Sequence, residues 1–181
     1  MSNISKTLLF FSVFSLMVSC SEDLDFNQYD DLEITPTYEA SIFFIKTQES
    51  LINRINGINF FSQDFNFDAF EEALFADRVL EGSITYELEN TTSKDIEITI
   101  EFLDAGDTVL DTELFQMTAA PAAVLLREVI YGNAGKDIDI LRNTTTIRLS
   151  AGNQGDNTST SGLPDPALIL RSSGKFTLRL K

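Results

Sequence analysis

The clearest hydrophobic pattern lies in the middle of the chain. In Ser83–Glu89, Ile84, Tyr86 and Leu88 alternate with Thr85, Glu87 and Glu89. In Asp95–Asp104, Ile96, Ile98, Ile100 and Phe102 alternate with Glu97, Thr99 and Glu101. A period of two, with β-branched and aromatic residues on one side, predicts half-buried antiparallel strands. The short polar stretch Asn90–Lys94 between them predicts a hairpin, and Ala105-Gly106-Asp107 a second turn into a strand at Thr108–Met117, completing a meander.

Elsewhere the pattern is looser. Ile34–Ile45 reads as a strand with Tyr38, Ala40, Ile42 and Phe44 on one face against Glu39, Ser41 and Phe43. Leu51–Phe61 reads as a strand or an irregular crossing, with a turn at Asn56-Gly57. Asn66–Arg78 is the helical candidate, because Phe67, Phe70, Leu74 and Phe75 fall on one face at helical spacing and Asp68 and Glu71 favour a helix start. Pro121–Tyr131 fits helix or strand, Lys136–Leu141 a helical turn, and Thr144–Ser150 a strand. Gly152–Gly162 has loop composition and is expected to be mobile. Ala167–Arg171 and Lys175–Leu180 read as two strands joined by a Ser172-Ser173-Gly174 turn. Strands at this spacing, with one or two short helices, predict a mostly β, antiparallel β-sandwich over residues 34–181. Ser83–Asp104 also resembles the strand–turn–strand of immunoglobulin-like modules such as the late-embryogenesis-abundant type, which implies an immunoglobulin-like sandwich.

The N-terminus has a different character. Lys6 precedes an apolar run, Leu8–Val18, broken only by Ser12 and Ser15. That length suits the core of a signal peptide and falls short of a membrane-spanning helix. The run ends in Met17-Val18-Ser19-Cys20, and Cys20 is the single cysteine of the chain. These residues resemble the bacterial lipoprotein signal, or lipobox, in which a small residue precedes a cysteine that becomes lipidated. The resemblance implies a signal peptide at 1–19, lipid on Cys20 and attachment to a membrane through it. More than one acyl chain makes such an anchor stable. A lone cysteine also rules out an intramolecular disulfide framework, so the domain must be held by its core.

Residues 20–33 read as a lipidated acidic linker. Glu22, Asp23, Asp25, Asp30, Asp31 and Glu33 stand there with no base. Ser21-Glu22-Asp23 directly after the cysteine resembles the export signal of Bacteroidota surface lipoproteins, which implies display on the outer face of the outer membrane; a solvated tether explains the same acids. The formal net charge of −15 disfavours nucleic-acid partners.

Candidate chemistry is sparse. The sequence has no histidine, and lipid would consume its cysteine, so the usual thiol, Ser-His-Asp and His- or Cys-ligated zinc centres are excluded. No Ser-x-x-Lys stands in a strand–helix setting, and the glycines match no phosphate loop. Glycoside hydrolysis would need paired acids; Glu97 with Glu101 and Glu71-Glu72 are the candidates, and they read as a solvated strand face and a helix start. Asp23-x-Asp25-x-Asn27 opens like a calcium loop, but Gln28 and Ile34 stand where the turn glycine and the bidentate acid belong. Asp137-x-Asp139 and Asp156-Asn157 are turn acids that could line a calcium loop. Phe60, Phe61, Phe65, Phe67, Phe70 and Phe75 read as core before they read as a ligand groove. Asp107-Thr108-Val109 matches the short O-glycosylation pattern of Bacteroidota exported proteins, which marks Thr108. The expectation is therefore a non-enzymatic, lipid-anchored envelope protein without a cofactor or metal. It would meet an envelope protein or an extracellular ligand, as a structural or protein-interaction module or as a ligand- or glycan-binding accessory of an uptake system.

Overall fold

The computed structural model describes residues 33–55, 59–67, 73–120 and 124–180. The chain divides into two units, Met1–Glu33 and Ile34–Lys181. Cys20, the Asp23–Asn27 acids, Glu71-Glu72 and Phe70 lie outside the described residues.

Unit Ile34–Lys181 is mostly β. Its strands are β1 (Thr37–Gln48), β2 (Asn59–Asn66), β3 (Val79–Asn90), β4 (Ile96–Leu103), β5 (Val109–Met117), β6 (Leu125–Tyr131), β7 (Thr146–Asn153) and β8 (Ala167–Leu178). Three short helices are described: α1 (Glu49–Ile52), α2 (Ala73–Ala76) and α3 (Ile138–Asn143). The strands form two four-stranded antiparallel sheets, ordered β1-β8-β3-β6 and β2-β7-β4-β5. The inner faces meet in a core of Ile84, Tyr86, Leu88, Ile96, Ile98, Ile100, Phe102, Phe115, Ile147 and Leu149, each at most 2% exposed. The β-sandwich expected from the pattern is thus present.

Its strand order is that of a jelly roll. An immunoglobulin sheet sets the first strand beside the second; here β1 pairs with β8 and β2 lies in the other sheet. The local pattern at 83–104 could not show this, because each strand's alternation is the same in either topology.

Several local expectations change for related reasons. β3 and β4 do not form a hairpin: residues 91–95 cross from one sheet to the other, and among the described strands only β4 and β5 pair as neighbours in sequence. Ser172-Ser173-Gly174 is no turn but the middle of the continuous β8. The glycine answers a packing need there. A Cβ on Gly174, or on Gly82 in the neighbouring strand, would lie 2.5 Å from the Phe176 ring. In β1 the faces invert. Phe43 is 6% exposed and Phe44 61%, because the pairing with β8 skips Ile42, an extra residue that shifts the alternation. Within the helical candidate Asn66–Arg78, Asn66 belongs to β2, Ala73–Ala76 is helix and Arg78 lies in a turn; residues 68–72 lie outside the described residues. Leu51–Phe61 divides between α1, an undescribed stretch and the start of β2, while the ambiguous 121–131 segment contains the strand β6.

Candidate functional site

Three places in the sandwich concentrate polar or exposed groups. The first lies at one end, where the β3–β4 connection, α1 and the β7–β8 loop meet. Lys94 is fully buried, and its ammonium donates to the Ser159 carbonyl (2.8 Å), the Ser159 hydroxyl (2.6 Å) and Asp156 Oδ1 (3.3 Å). Glu49, 1% exposed, accepts from the Ser93 amide (2.7 Å), the Ser93 hydroxyl (2.6 Å) and the Ser161 amide (2.8 Å). The Ser93 and Ser159 hydroxyls are 2.9 Å apart, so one chain of contacts runs from carboxylate to ammonium. Burial works to raise the Glu49 carboxyl, but the bonds from Ser93 and Ser161, with the charge of Lys94, outweigh it and hold the group below its ordinary value. Asp156 also sits below its ordinary value, mainly through the Ser159 and Thr158 amides it accepts from.

This arrangement joins a serine and a lysine that lie far apart in sequence, a contact no short motif could reveal. Its geometry is that of a lock: Lys94 Nζ meets two oxygens of Ser159 and one of Asp156, and so joins the β3–β4 connection to the β7–β8 loop. The lock also ties down the stretch Gly152–Gly162, whose first two residues end β7. Gly152 pairs with Glu97 within the sheet, Asn53 donates to the Ser159 carbonyl (3.1 Å), and Asn157 donates to the Ile55 carbonyl (3.1 Å).

The second place lies between the sheets at the β5/β6 side. Asp111 and Glu113 of β5 both accept from Lys136, at 2.7–2.8 Å and 2.6 Å. Arg127 of β6 donates to Glu113 (3.3 Å) and lies 4.2 Å from the Phe115 ring centroid. The Tyr131 hydroxyl donates to Asp111 at 3.3 Å. Tyr86 is fully buried beside the cluster, and among the described residues its hydroxyl has no partner. Burial, then the nearby carboxylates, push the Tyr86 phenol far up. Tyr131 is raised by burial first, then by Tyr86 and the two acids. Burial opposes the charge on Lys136, but its bonds to Asp111 and Glu113 raise it. Two acids and two bases neutralise one another here, which holds the cluster together and leaves no free base.

The third place is the outer face of the first sheet. Register sets Phe44, Arg171, Glu87 and Leu126 in one cross-strand row, with Arg171 bonded to Glu87 at 2.6 Å. The next row is Ser41, Ser173, Thr85 and Glu128. Its small hydroxyl residues form the floor of a shallow cavity of about 460 Å³, with Glu39, Lys175 and Glu128 at its rim. Exposed apolar side chains stand around it: Phe44 at 61%, Leu126 at 69% and Ile130 at 44%.

The other expected site residues are scattered. Glu97 and Glu101 lie on the outer face of the second sheet, in register with Gln116 and Thr112. Asp137 accepts from the Asp139 amide (3.0 Å) as the cap of α3, and Asp139 accepts from Arg142 (2.9 Å). Among the described residues, no group of three metal-ligating side chains comes together. Phe60, Phe61, Phe65, Phe67 and Phe75 pack against the core, with Phe65 stacked on Phe43 at 5.6 Å. Thr108 is exposed in the β4–β5 turn, where its amide and that of Gly106 donate to Asp104, each at 2.8 Å.

No protein-family model matches the chain, and no curated protein matches it. Among solved structures it is similar to the VP2 subviral particle of infectious bursal disease virus, with 15% identity over 80% of this chain and 33% of that one, at a TM-score of 0.39. It is also similar to empty-head turnip yellow mosaic virus, with 9% identity over 82% of this chain and 80% of that one, at a TM-score of 0.40. The chain spans about a third of the length of the bursal virus protein.

Proposed function

We propose that this protein is a lipid-anchored component of a bacterial cell envelope, held at the outer membrane through Cys20 and displayed on the cell surface, and that its sandwich acts as a non-enzymatic structural or protein-interaction module. The anchor reading rests on the charged start, the apolar run and the lone cysteine that follows Ser19. The observation that carries the interaction reading is the outer face of the first sheet, where Phe44, Leu126 and Ile130 stand exposed. The interior charged groups are committed to one another, so they serve cohesion. Thr108 is a candidate for glycan attachment, its side chain lying on an exposed turn.

A second reading is favoured by one observation. The hydroxyl-lined cavity of about 460 Å³ on the same face falls in the size range of small-ligand sites, and its rim carries both charges. In that reading the protein is a ligand- or glycan-binding accessory of an uptake system.

The test is mild protease treatment of intact cells, with mass spectrometry of the N-terminal peptide. Loss of the domain from cells with Cys20 acylated supports surface display. Protection of the domain places it on the periplasmic side, and a free Cys20 thiol sinks the anchor.

A further inference from the structure

Side-chain size changes from row to row across the outer face of the first sheet. The row Phe44, Arg171, Glu87 and Leu126 is large, and the row Glu39, Lys175, Ser83 and Ile130 carries long side chains on β1 and β8. Between them Ser41, Ser173, Thr85 and Glu128 stand in register, three short hydroxyl side chains and then a carboxylate. The cavity of about 460 Å³ is therefore a trough that crosses the strands. From β1 to β6 it spans three inter-strand spacings, about 14 Å.

The walls neutralise themselves. Arg171 donates to Glu87 at 2.6 Å, and Lys175 lies 3.5 Å from Glu39. Among the described residues, Glu128 is the charged group of the trough without an ion pair, and the hydroxyls of Ser83, Thr85 and Ser173 have no protein partner. At the β1 end Phe44, 61% exposed, offers an apolar ring, with the Arg171 guanidinium 5.8 Å from its centroid.

These features select a class of ligand. An apolar molecule would cover the floor hydroxyls without bonding them. An anion would meet Glu128 while the nearby cations are already paired. A peptide joins a sheet at an edge, through open backbone groups, but the trough crosses β8 and β3, which are paired on both sides. A chain of hydroxyl groups that carries a cation satisfies the floor, the carboxylate and the ring together. We propose that the trough binds an oligosaccharide containing an unacetylated amino sugar, its ammonium on Glu128, its hydroxyls on Ser173 and Thr85, and the C–H face of one ring on Phe44. This rests on the ligand-binding reading above and names the class of its ligand.

The probes are the β-linked tetramer of glucosamine and its fully N-acetylated counterpart, each with a fluorophore at the reducing end. They share rings and linkages and differ in charge. Anisotropy is read with the full chain in uncharged detergent, at mildly acidic pH where the sugar amines are protonated. The amine form should bind about three- to fivefold more tightly, the gain of one exposed ion pair. Glu128→Gln should remove that preference, and Glu101→Gln, on the outer face of the second sheet, should leave it intact. Phe44→Ala should weaken both tetramers. Glu128 and Phe44 are exposed, so thermal melts of these variants should match the parent. A preference that survives Glu128→Gln, or equal binding of a Ser-Lys-Ser-Lys peptide, would overturn the assignment. Binding of both tetramers alike, weakened by Phe44→Ala, overturns the amino sugar and leaves the glycan-binding reading standing. If neither tetramer binds, the glycan reading of this cavity falls with it.

Discussion

Glu49 is the anion in a lock that pins the β7–β8 loop, and Glu49→Gln should show what the lock contributes. The carboxylate accepts three bonds at 2.6–2.8 Å. Glutamine has one acceptor oxygen. If that oxygen faces Ser93, two bonds survive and the side-chain NH2 faces the Ser161 amide, donor against donor. A hydrogen bond to a charged group is worth about 1.5–3 kcal/mol, and an unmatched buried donor costs about 1–3 kcal/mol. Lys94 also loses a nearby counter-charge. The expected loss is about 2–4 kcal/mol of unfolding free energy, measured by urea titration at neutral pH. Lys94→Met should cost a similar amount. The double variant should fall short of the sum by about 1 kcal/mol or more, because both ends share the Ser93–Ser159 contact.

The pH dependence has a definite sign. The folded Glu49 carboxyl lies below its ordinary value of 4.5, so its contribution is full above that value and is lost as pH falls through the lower folded one. The gap between parent and Glu49→Gln should therefore hold constant near neutrality and close on acidification. A variant within about 0.5 kcal/mol of the parent at neutral pH, or strict additivity with Lys94→Met, would refute the account of the lock.

Gly174→Ala should destabilise by about 1–3 kcal/mol, since the new methyl meets the Phe176 ring at 2.5 Å, and Phe176→Leu in the same chain should recover part of the loss in urea titration. Tyr86→Phe should be neutral or stabilising by up to about 1 kcal/mol, because it deletes a buried hydroxyl without a partner; a loss beyond about 1 kcal/mol would show that the hydroxyl is bonded. Stability should fall above pH 10 by up to about 1.4 kcal/mol per pH unit for each of Tyr86 and Tyr131, whose folded phenols are raised above the ordinary value of 10.0 while the unfolded ones ionise; urea midpoints across the alkaline range check this. Lys136→Met should cost about 1–3 kcal/mol, less than a fully buried pair because Lys136 is 36% exposed, and adding Asp111→Asn and Glu113→Gln should restore most of it.

The strands with strict alternation were legible at the level of faces. Ile84, Tyr86 and Leu88, and Ile96, Ile98, Ile100 and Phe102, point inward as the pattern requires. Sheet membership was not legible. A five-residue polar connection can close a hairpin or cross between sheets, and only the long-range pairings β1–β8 and β2–β7 decide between them. The Ser172-Ser173-Gly174 run carries turn chemistry, but its glycine is there to make room for an aromatic ring. The inversion in β1 followed from one skipped residue, Ile42, which nothing in the local composition marks. The lock escaped for a different reason: Glu49, Lys94 and Ser159 lie in three separate connections and meet only after both sheets have formed.

β5 shows how charge supplies what hydrophobic pattern leaves open. Its inward set is Glu113, Phe115 and Met117, and its outward set is Thr112, Leu114 and Gln116. A one-residue slip would exchange these sets, and apolar burial alone separates them only modestly, since each contains both kinds of residue. The slip would carry Asp111 and Glu113 to the outer face and take from Lys136 and Arg127 the carboxylates they bond. Arg127 and Lys136 are each over a third exposed, so the loss of their acceptors is screened, and it adds to the apolar cost of turning Phe115 and Met117 outward in exchange for Leu114. β5 and β6 share no ladder, because they edge different sheets. The ion pairs, the Tyr131 bond to Asp111 and the Arg127 bond to the Leu114 carbonyl together tie the register of one edge to the other, and they give the inward Arg127 its acceptors.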